Sequence, residues 1–502
     1  MDAPATGLTE LLARRFLTTD DARAEKVAAR HAAGRRTARE NIADLVDPDS
    51  FVEYGRFATA AQEQVRPLAD LVVETPADGI VGGTATVAGR PVTVMSYDWM
   101  VAAGTQGMRG HHKSDRLIDL AIRTRTPAVF FTEGGGGRPS DTDYPLVSAL
   151  DVGSFGLWAR LGEHAPRIAV VSGRCFAGNA VIAGTADLRV ATPEANLGMA
   201  GPAMIAGGGL GQVAADDIGP IAEQAEAGVV DVVVEDEAEA VVVVRALLDL
   251  LSGQDAPSAP HADQVLLRES LPSNDREAFD VRPLIDLLAD LESLVWLRES
   301  YAPELVTALG RLDGMAVGFM ANSSAHVAGA LTASASAKGA DFLEFCQRWG
   351  LPVVSLVDTP GFMVGPDAER TGLVRHASRL VSAGARVSTP LVGVVLRRGY
   401  GLGAQAMLGG STHCPLITLA WPQAHLGPMG LEGAVRLALA KQLATMEPEA
   451  AEALVAEQTD AMREHAKALN AARMLEIDDV IDPAETRTVL AATIRRARHG
   501  VR

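Results

Sequence analysis

Two short loops carry the residue pattern with the most chemical promise. SGRCFAGNA (172–180) follows the apolar run RIAVV, and RGYGLGAQ (398–405) follows LVGVVL. A tight glycine turn from a strand into a helix exposes backbone N–H groups. Two such groups at a helix N-terminus hold a negatively charged oxygen. Close packing of strand against helix is the alternative use of such a loop. Upstream of each stands a second glycine segment, EGGGGR (133–138) and DTPGF (358–362). Four successive glycines cost backbone entropy and are unusual as filler. A looser run, Gly207-Gly208-Gly209, reads as a mobile or tightly packed loop.

Other chemistries find less support. The chain has neither the GxxxxGK[ST] phosphate loop nor a GxGxxG dinucleotide fingerprint. Ser172 stands in SGRC rather than in a GxSxG elbow, and no His or Asp is tied to it by spacing. Cys175 reads either as a nucleophile or as a small buried hydrophobe. Cys175, Cys346 and Cys414 form no CxxC pair, and the eleven histidines form no ligand set, so no metal is expected. His111 and His112 read as polar residues at a helix start. Lys113 and Lys338 stand out because only five of the 45 basic residues are lysines. Each is read as opening a helix, where a cation opposes the dipole. That leaves a salt bridge, a ligand contact or an ordinary surface position.

The elements that position these loops come as two copies. Gly89, Lys113, Pro127, Glu133, Gly136 and Gly178 recur 225 residues later as Gly314, Lys338, Pro352, Asp358, Gly361 and Gly403. Further on the spacing lengthens, and Pro193, Ala195 and Gly198 match Pro422, Ala424 and Gly427. Strand, helix, strand and glycine loop in register predict one α/β domain duplicated, about 60–250 and 295–440. The domain division is 1–250, a Pro- and Ser-containing linker at 251–280, and 281–502. A leading helical segment is predicted at 20–46, with Thr18 or Thr19 near its cap. The C-terminal stretches 449–474 and 483–499 also read as helical, packing across domains or subunits or capping one domain.

Composition bounds the partners. A formal charge of -18 argues against nucleic acid or an anionic membrane as the main partner. No apolar run reaches the length of a membrane span, and the N-terminus lacks a signal-peptide pattern, so the cytoplasm is expected.

The motifs FDVRPLIDLLAD, YAPELVTALGRLDGMAVGFMAN, LVDTPGFMVGPDAERTGLVRHASRL, LRRGYGLGAQAM, AWPQAHLGPMGLEGAV and IDDVIDPAETR, in this order, resemble the carboxyltransferase (beta) subunits of biotin-dependent acyl-CoA carboxylases of the propionyl-, acetyl- and methylcrotonyl-CoA kinds. The resemblance covers about 29–500. It implies two tandem crotonase-like (ClpP/crotonase) domains and a homo-hexamer built as a trimer of dimers. Active sites would lie between the N-terminal half of one subunit and the C-terminal half of its partner. It also implies transfer of a carboxyl group from carboxybiotin to the α-carbon of an acyl-CoA, with no obligatory protein base. Carried over by motif, the amides of Gly178 and Asn179 would hold the acyl-CoA oxyanion. Those of Leu402 and Gly403 would hold the biotin oxygen. Gly135, Gly136, Arg138, Ala177, Gly361, Phe362, Tyr400 and Gly401 are the expected cofactor-binding positions.

No biotin-attachment AMKM segment or ATP-binding module is present, so a separate biotin carboxylase and biotin carboxyl carrier subunit is the implied partner. The first half departs more from the family pattern. The family has Gly at 179 and 402, EGGGGRPSDTDYPL replaces an SGGA-type segment, and Glu223 or Gln224 stands where a His is usual. ANSSAHVAGAL has no ANQP. These departures motivate two alternatives: an acyl-CoA decarboxylase or hydrolase working on a thioester enolate without biotin, or a non-catalytic subunit of a carboxylase complex.

Overall fold

The apolar runs become the central strands of two mixed sheets. This computed structural model describes residues 6–144, 150–257, 259–274 and 277–500. Pro145 and Leu146 of the altered first-half segment, and Ser258, Asp275 and Arg276 of the expected linker, lie outside them. Two units, Met1–Leu248 and Asp249–Arg502, each carry one large sheet, and the first adds a two-stranded one, Arg174–Phe176 with Asn196–Gly198.

The first sheet runs Val52–Glu53, Ile80–Val87, Arg90–Tyr97, Ala128–Phe131, Arg167–Val171, Leu188–Ala191, Val232–Val233. Its first two pairings are antiparallel and the others parallel. AVFF and RIAVV are buried at every residue, as a parallel sheet covered on both faces requires. Leu117, Ile118 and Trp158, from helices Met108–Thr124 and Ser154–Leu161, pack with Met95 and Phe130 in its core. The second sheet runs Val295–Leu297, Leu305–Leu312, Met315–Asn322, Val353–Thr359, Leu391–Tyr400, Thr418–Ala420, Asp479–Val480. His425–Gly427 pairs with the end of Leu391–Tyr400. Phe319, Val354, Leu356, Val394 and Trp421 form its core, joined by Leu490, Ala491 and Ile494 of the C-terminal helix Thr486–Gly500. That helix therefore caps the second unit.

The duplication is visible residue by residue. Both antiparallel hairpins close on two residues with positive φ, Ala88-Gly89 and Asp313-Gly314. This is the turn whose twist matches the flanking strands. Ile80 pairs with Tyr97 and Leu305 with Asn322, in the same register.

Two corrections to the sequence alignment follow. First, each copy starts earlier than 60 and 295. Helices Ala38–Leu45 and Arg282–Leu288 lead into Asp47 and Asp290. Each acid accepts both amides of its own hairpin turn at 2.8 Å. The match is hidden because the stretch from Asp47 to Ile80 is more than twice as long as that from Asp290 to Leu305. Second, the register slips by one residue before the catalytic-type loops. Phe176 pairs with Gly198 as Tyr400 pairs with Gly427. Gly178 thus corresponds to Leu402, and Asn179 to Gly403.

Other expectations shift by a turn. Thr37, not Thr18 or Thr19, caps a leading helix, in a reciprocal capping box with Glu40. Thr18 and Thr19 follow helix Thr6–Phe16, donating to the carbonyls of Arg15 and Phe16. Lys113 and Lys338 sit one turn inside helices Met108–Thr124 and Ala333–Arg348, and both are buried. The stretch read as a linker is held against the second unit. The Ala256 amide donates to the Gly314 carbonyl, and His261 bridges Asp290.

Candidate active site

In the first unit, Arg174–Phe176 ends on Ala177, and helix Gly178–Thr185 begins at once. Ala177 holds φ 51° and ψ −121°, a conformation L-residues resist. It turns the first amides of the helix, those of Gly178 and Asn179, away from any intrahelical acceptor. No backbone carbonyl among the described residues takes them either. The EGGGG loop lies alongside. Its Gly134 carbonyl accepts the Phe176 amide, and a Cβ on Gly136 would stand 2.8 Å from the Ala177 Cβ. The Asn179 side chain is fully buried between these pieces. Its Oδ1 accepts from the Gly136 amide at 3.0 Å, and its Nδ2 donates to the Gly104 carbonyl at 3.3 Å.

The second unit repeats this geometry with other residues. Tyr400 ends a strand and Gly401, φ 61°, takes the place of Ala177. The amides of Leu402 and Gly403 then open helix Gly401–Met407, again with no backbone acceptor among the described residues. Gly403 must be glycine, because a Cβ there would lie 2.6 Å from the Gly361 carbonyl carbon. The Gly361 amide donates to Thr359 Oγ1 at 3.1 Å within its own loop. Leu402 is exposed on this unit.

The structure thus gathers Gly135, Gly136, Ala177, Gly178 and Asn179 into one loop cluster. Gly361, Phe362, Gly401, Leu402 and Gly403 form the second. Two expected binding residues are otherwise engaged. The Arg138 guanidinium is buried and pairs with Asp78 at 2.6 Å. The Tyr400 ring packs with Leu431 and Ala466, leaving its backbone at the loop.

The remaining candidates are structural. Burial pushes the Cys175 thiol up to about 12, with Sγ 3.5 Å from Thr132 Oγ1, which is the small-hydrophobe reading and leaves no thiolate at neutral pH. Burial brings Lys113 down to about 8 and Lys338 to about 7. Lys338 Nζ donates to the carbonyls of Arg298 and Tyr301 at 2.9 and 2.8 Å, and Lys113 Nζ to that of Ile80. Both therefore tie a helix to backbone. His111 is buried against Ser154, whose hydroxyl donates to Asp115. With the Ser154 hydroxyl hydrogen directed at Asp115, His111 is not its acceptor, so the trio is not the Ser–His arrangement of a hydrolase. Among the described residues no group of His, Cys, Asp and Glu is placed to hold a metal.

Three contributors were not singled out from sequence. Gln106 Oε1 would be 2.0 Å from a Cβ on Gly178, while its Nε2 donates to Tyr97 Oη at 2.7 Å. Arg30, on helix Ala24–Ala32, grips Glu133 at the root of the glycine loop through two bonds of 3.1 and 2.7 Å. Arg35 reaches the Ser172 carbonyl at 2.6 Å. The last two signals were hidden by distance along the chain.

Comparison with known proteins places the chain by family and fold. The carboxyl transferase domain family matches residues 29–502. The chain is 32% identical to the methylmalonyl-CoA carboxyltransferase 12S subunit of Propionibacterium freudenreichii subsp. shermanii, over 93% of this chain and 90% of that one. It is 31% identical to the propionyl-CoA carboxylase beta chain of Saccharopolyspora erythraea, over 93% and 89%. Among solved structures, a single-chain, multi-domain long-chain acyl-CoA carboxylase superposes with TM-score 0.92 at 49% identity. The match covers 98% of this chain and 49% of that one, so the chain spans about half the length of that enzyme. The transcarboxylase 12S hexamer with methylmalonyl-CoA superposes with TM-score 0.86 at 29% identity, over 99% and 97%. The two sheets are thus a tandem pair of crotonase-like domains.

Proposed function

This chain belongs to the carboxyl transferase domain family and is an acyl-CoA carboxyltransferase, and from that premise we propose which residues do the work and with which partners. The amides of Gly178 and Asn179 hold the thioester oxygen as it gains charge on the way to the enolate. Those of Leu402 and Gly403 hold the ureido oxygen of biotin. Carboxybiotin supplies the carboxyl group, and its freed ureido nitrogen takes the α-proton. Backbone donors fixed by a helix N-terminus need no reorganisation as charge develops, and removing one such donor typically costs about 10²–10³ in rate. The observation that carries this reading is the pair of free amides at the same place in both copies.

The reading also includes a separate biotin-carrier protein with its biotin carboxylase, a homo-hexamer, and a cytoplasmic setting. The 12S relative is described as a hexamer. Among the described residues no helix is long and apolar enough to cross a membrane. Higher identity to the long-chain carboxylase than to the propionyl-CoA relatives favours a long acyl chain. The test is transfer of labelled carboxylate from a carboxylated biotin-carrier protein to acetyl-, propionyl- and palmitoyl-CoA. Transfer with highest kcat/KM on palmitoyl-CoA is expected. Label released only as free CO2 with every acyl-CoA would overturn the reading.

A further inference from the structure

The two oxyanion-type loops satisfy the same buried amide in opposite ways. Position 136 in the first unit and 361 in the second correspond, and each amide must find an acceptor away from water. In the second unit the loop is self-sufficient, since Thr359 Oγ1 takes the Gly361 amide and donates back to the Gly361 carbonyl at 3.1 Å. Gly403, with no side chain, lies directly on Gly361. In the first unit Gly134 replaces Thr359 and offers no hydroxyl. The acceptor comes instead from Asn179, the counterpart of Gly403. The exchange is steric as well as polar. A Cβ on Gly134 would stand 2.2 Å from Asn179 Nδ2, so the side chain at 179 needs its absence at 134. The second hydrogen bond of the carboxamide, to the Gly104 carbonyl, has no counterpart in the second unit. It ties the 102–104 turn to the glycine loop and to the helix start.

We propose that the Asn179 side chain is a positioning residue for carboxyl transfer: it cross-links turn, glycine loop and helix so that the Gly178 and Asn179 amides stay aimed at the acyl-CoA oxygen. This rests on the function proposed above. The second unit needs no carboxamide here, since Thr359 closes its loop and Arg398, paired with Asp358, reaches the Ala328 carbonyl of the matching turn at 2.9 Å.

The test uses the full chain with Asn179→Gly and the near-isosteric Asn179→Asp. Asn179→Gly removes both bonds and leaves Gly136 without an acceptor. Its kcat with acyl-CoA should fall 10- to 100-fold, with the KM for biotin changed less than twofold. Amide exchange in 134–137 should rise at least tenfold. Asn179→Asp keeps the acceptor, loses the donor and places a charge beside the developing enolate. It should retain slow exchange at Gly136 yet lose kcat, and regain part of that kcat as pH falls and the new carboxyl protonates. Unchanged kcat and exchange in Asn179→Gly would overturn the proposal, as would equal losses of kcat and of biotin affinity. If the wild-type chain itself turned over no acyl-CoA, the functional reading would fail, while exchange at 134–137 in the variants would still decide whether Asn179 holds the loop.

Discussion

At the root of each glycine loop stands a buried carboxylate, and the two units neutralise it from different directions. Asp358 meets Arg397 and Arg398, both on its neighbouring strand, at 2.9 and 2.8 Å. Glu133 occupies the matching place, but the counterpart of Arg397 there is Gly173, where a Cβ would lie 2.1 Å from Glu133 Oε1. The longer acid fills the space the arginine would need, and the cation arrives instead from the leading helix as Arg30. The strand pays for this in continuity: Leu391–Tyr400 is unbroken, whereas Arg167–Val171 and Arg174–Phe176 are separate strands. The electrostatic outcome differs too. Burial raises both acids, yet for Asp358 the Arg398 and Arg397 pairs outweigh it and hold the carboxyl below its usual range. For Glu133 burial wins over Arg30, and the carboxyl stays above its usual range. One loop is anchored by its own sheet, the other by a segment far upstream.

The largest effect of breaking this comparison should come at Asp358. Asp358→Asn leaves the buried Arg397 guanidinium and the partly exposed Arg398 underpaired and should cost about 3–5 kcal/mol in urea unfolding at pH 7. Since the folded-state pKa of Asp358 is depressed, its contribution is present above the ordinary value of 3.8 and fades as pH falls through the lowered one. The penalty of Asp358→Asn should therefore shrink below about pH 4. Glu133→Gln should behave oppositely. A raised pKa means the contribution is complete below the ordinary value of 4.5 and is lost as pH rises through the raised one. Its penalty should shrink toward pH 8, and a common pH trend in both variants would contradict the account.

Arg30→Leu comes next, at about 2–3 kcal/mol, because it strands a buried acceptor. It should also loosen the acyl-CoA side while sparing affinity for biotin, measured as KM for each substrate. A smaller effect distinguishes Ala177 from its counterpart Gly401. Ala177→Gly relieves the positive-φ strain and should stabilise by about 1 kcal/mol, while Gly401→Ala should destabilise by a similar amount. Thermal melting of both variants checks the sign.

These contrasts also mark what sequence could reveal. The duplicated strands, the hairpin glycines and the two loop pairs were legible because they recur at near-constant spacing. The one-residue slip was not, since Gly178 and Gly403 align as letters while strand pairing sets Gly178 against Leu402. The start of each copy was hidden by unequal lengths between Asp47 and Ile80 and between Asp290 and Leu305. Arg30 and Gln106 belong to the site only through folding, for neither stands in a motif. Arg138, expected from the resemblance at a binding position, pairs with buried Asp78, a partner no motif ties to it. The departure from the family pattern at 179 stood alone in the sequence. In the fold it is accommodated by Gly134 and serves the Gly136 amide.

On the function proposed above, this molecule runs two oxyanion sites, one for acyl-CoA and one for biotin. The most direct measurement is CO2 release from malonyl-CoA, methylmalonyl-CoA and α-carboxylated palmitoyl-CoA by the purified chain, with and without free biotin. Release that depends on biotin is the predicted result. Release at the same rate without biotin, or no turnover under either condition, would contradict the account.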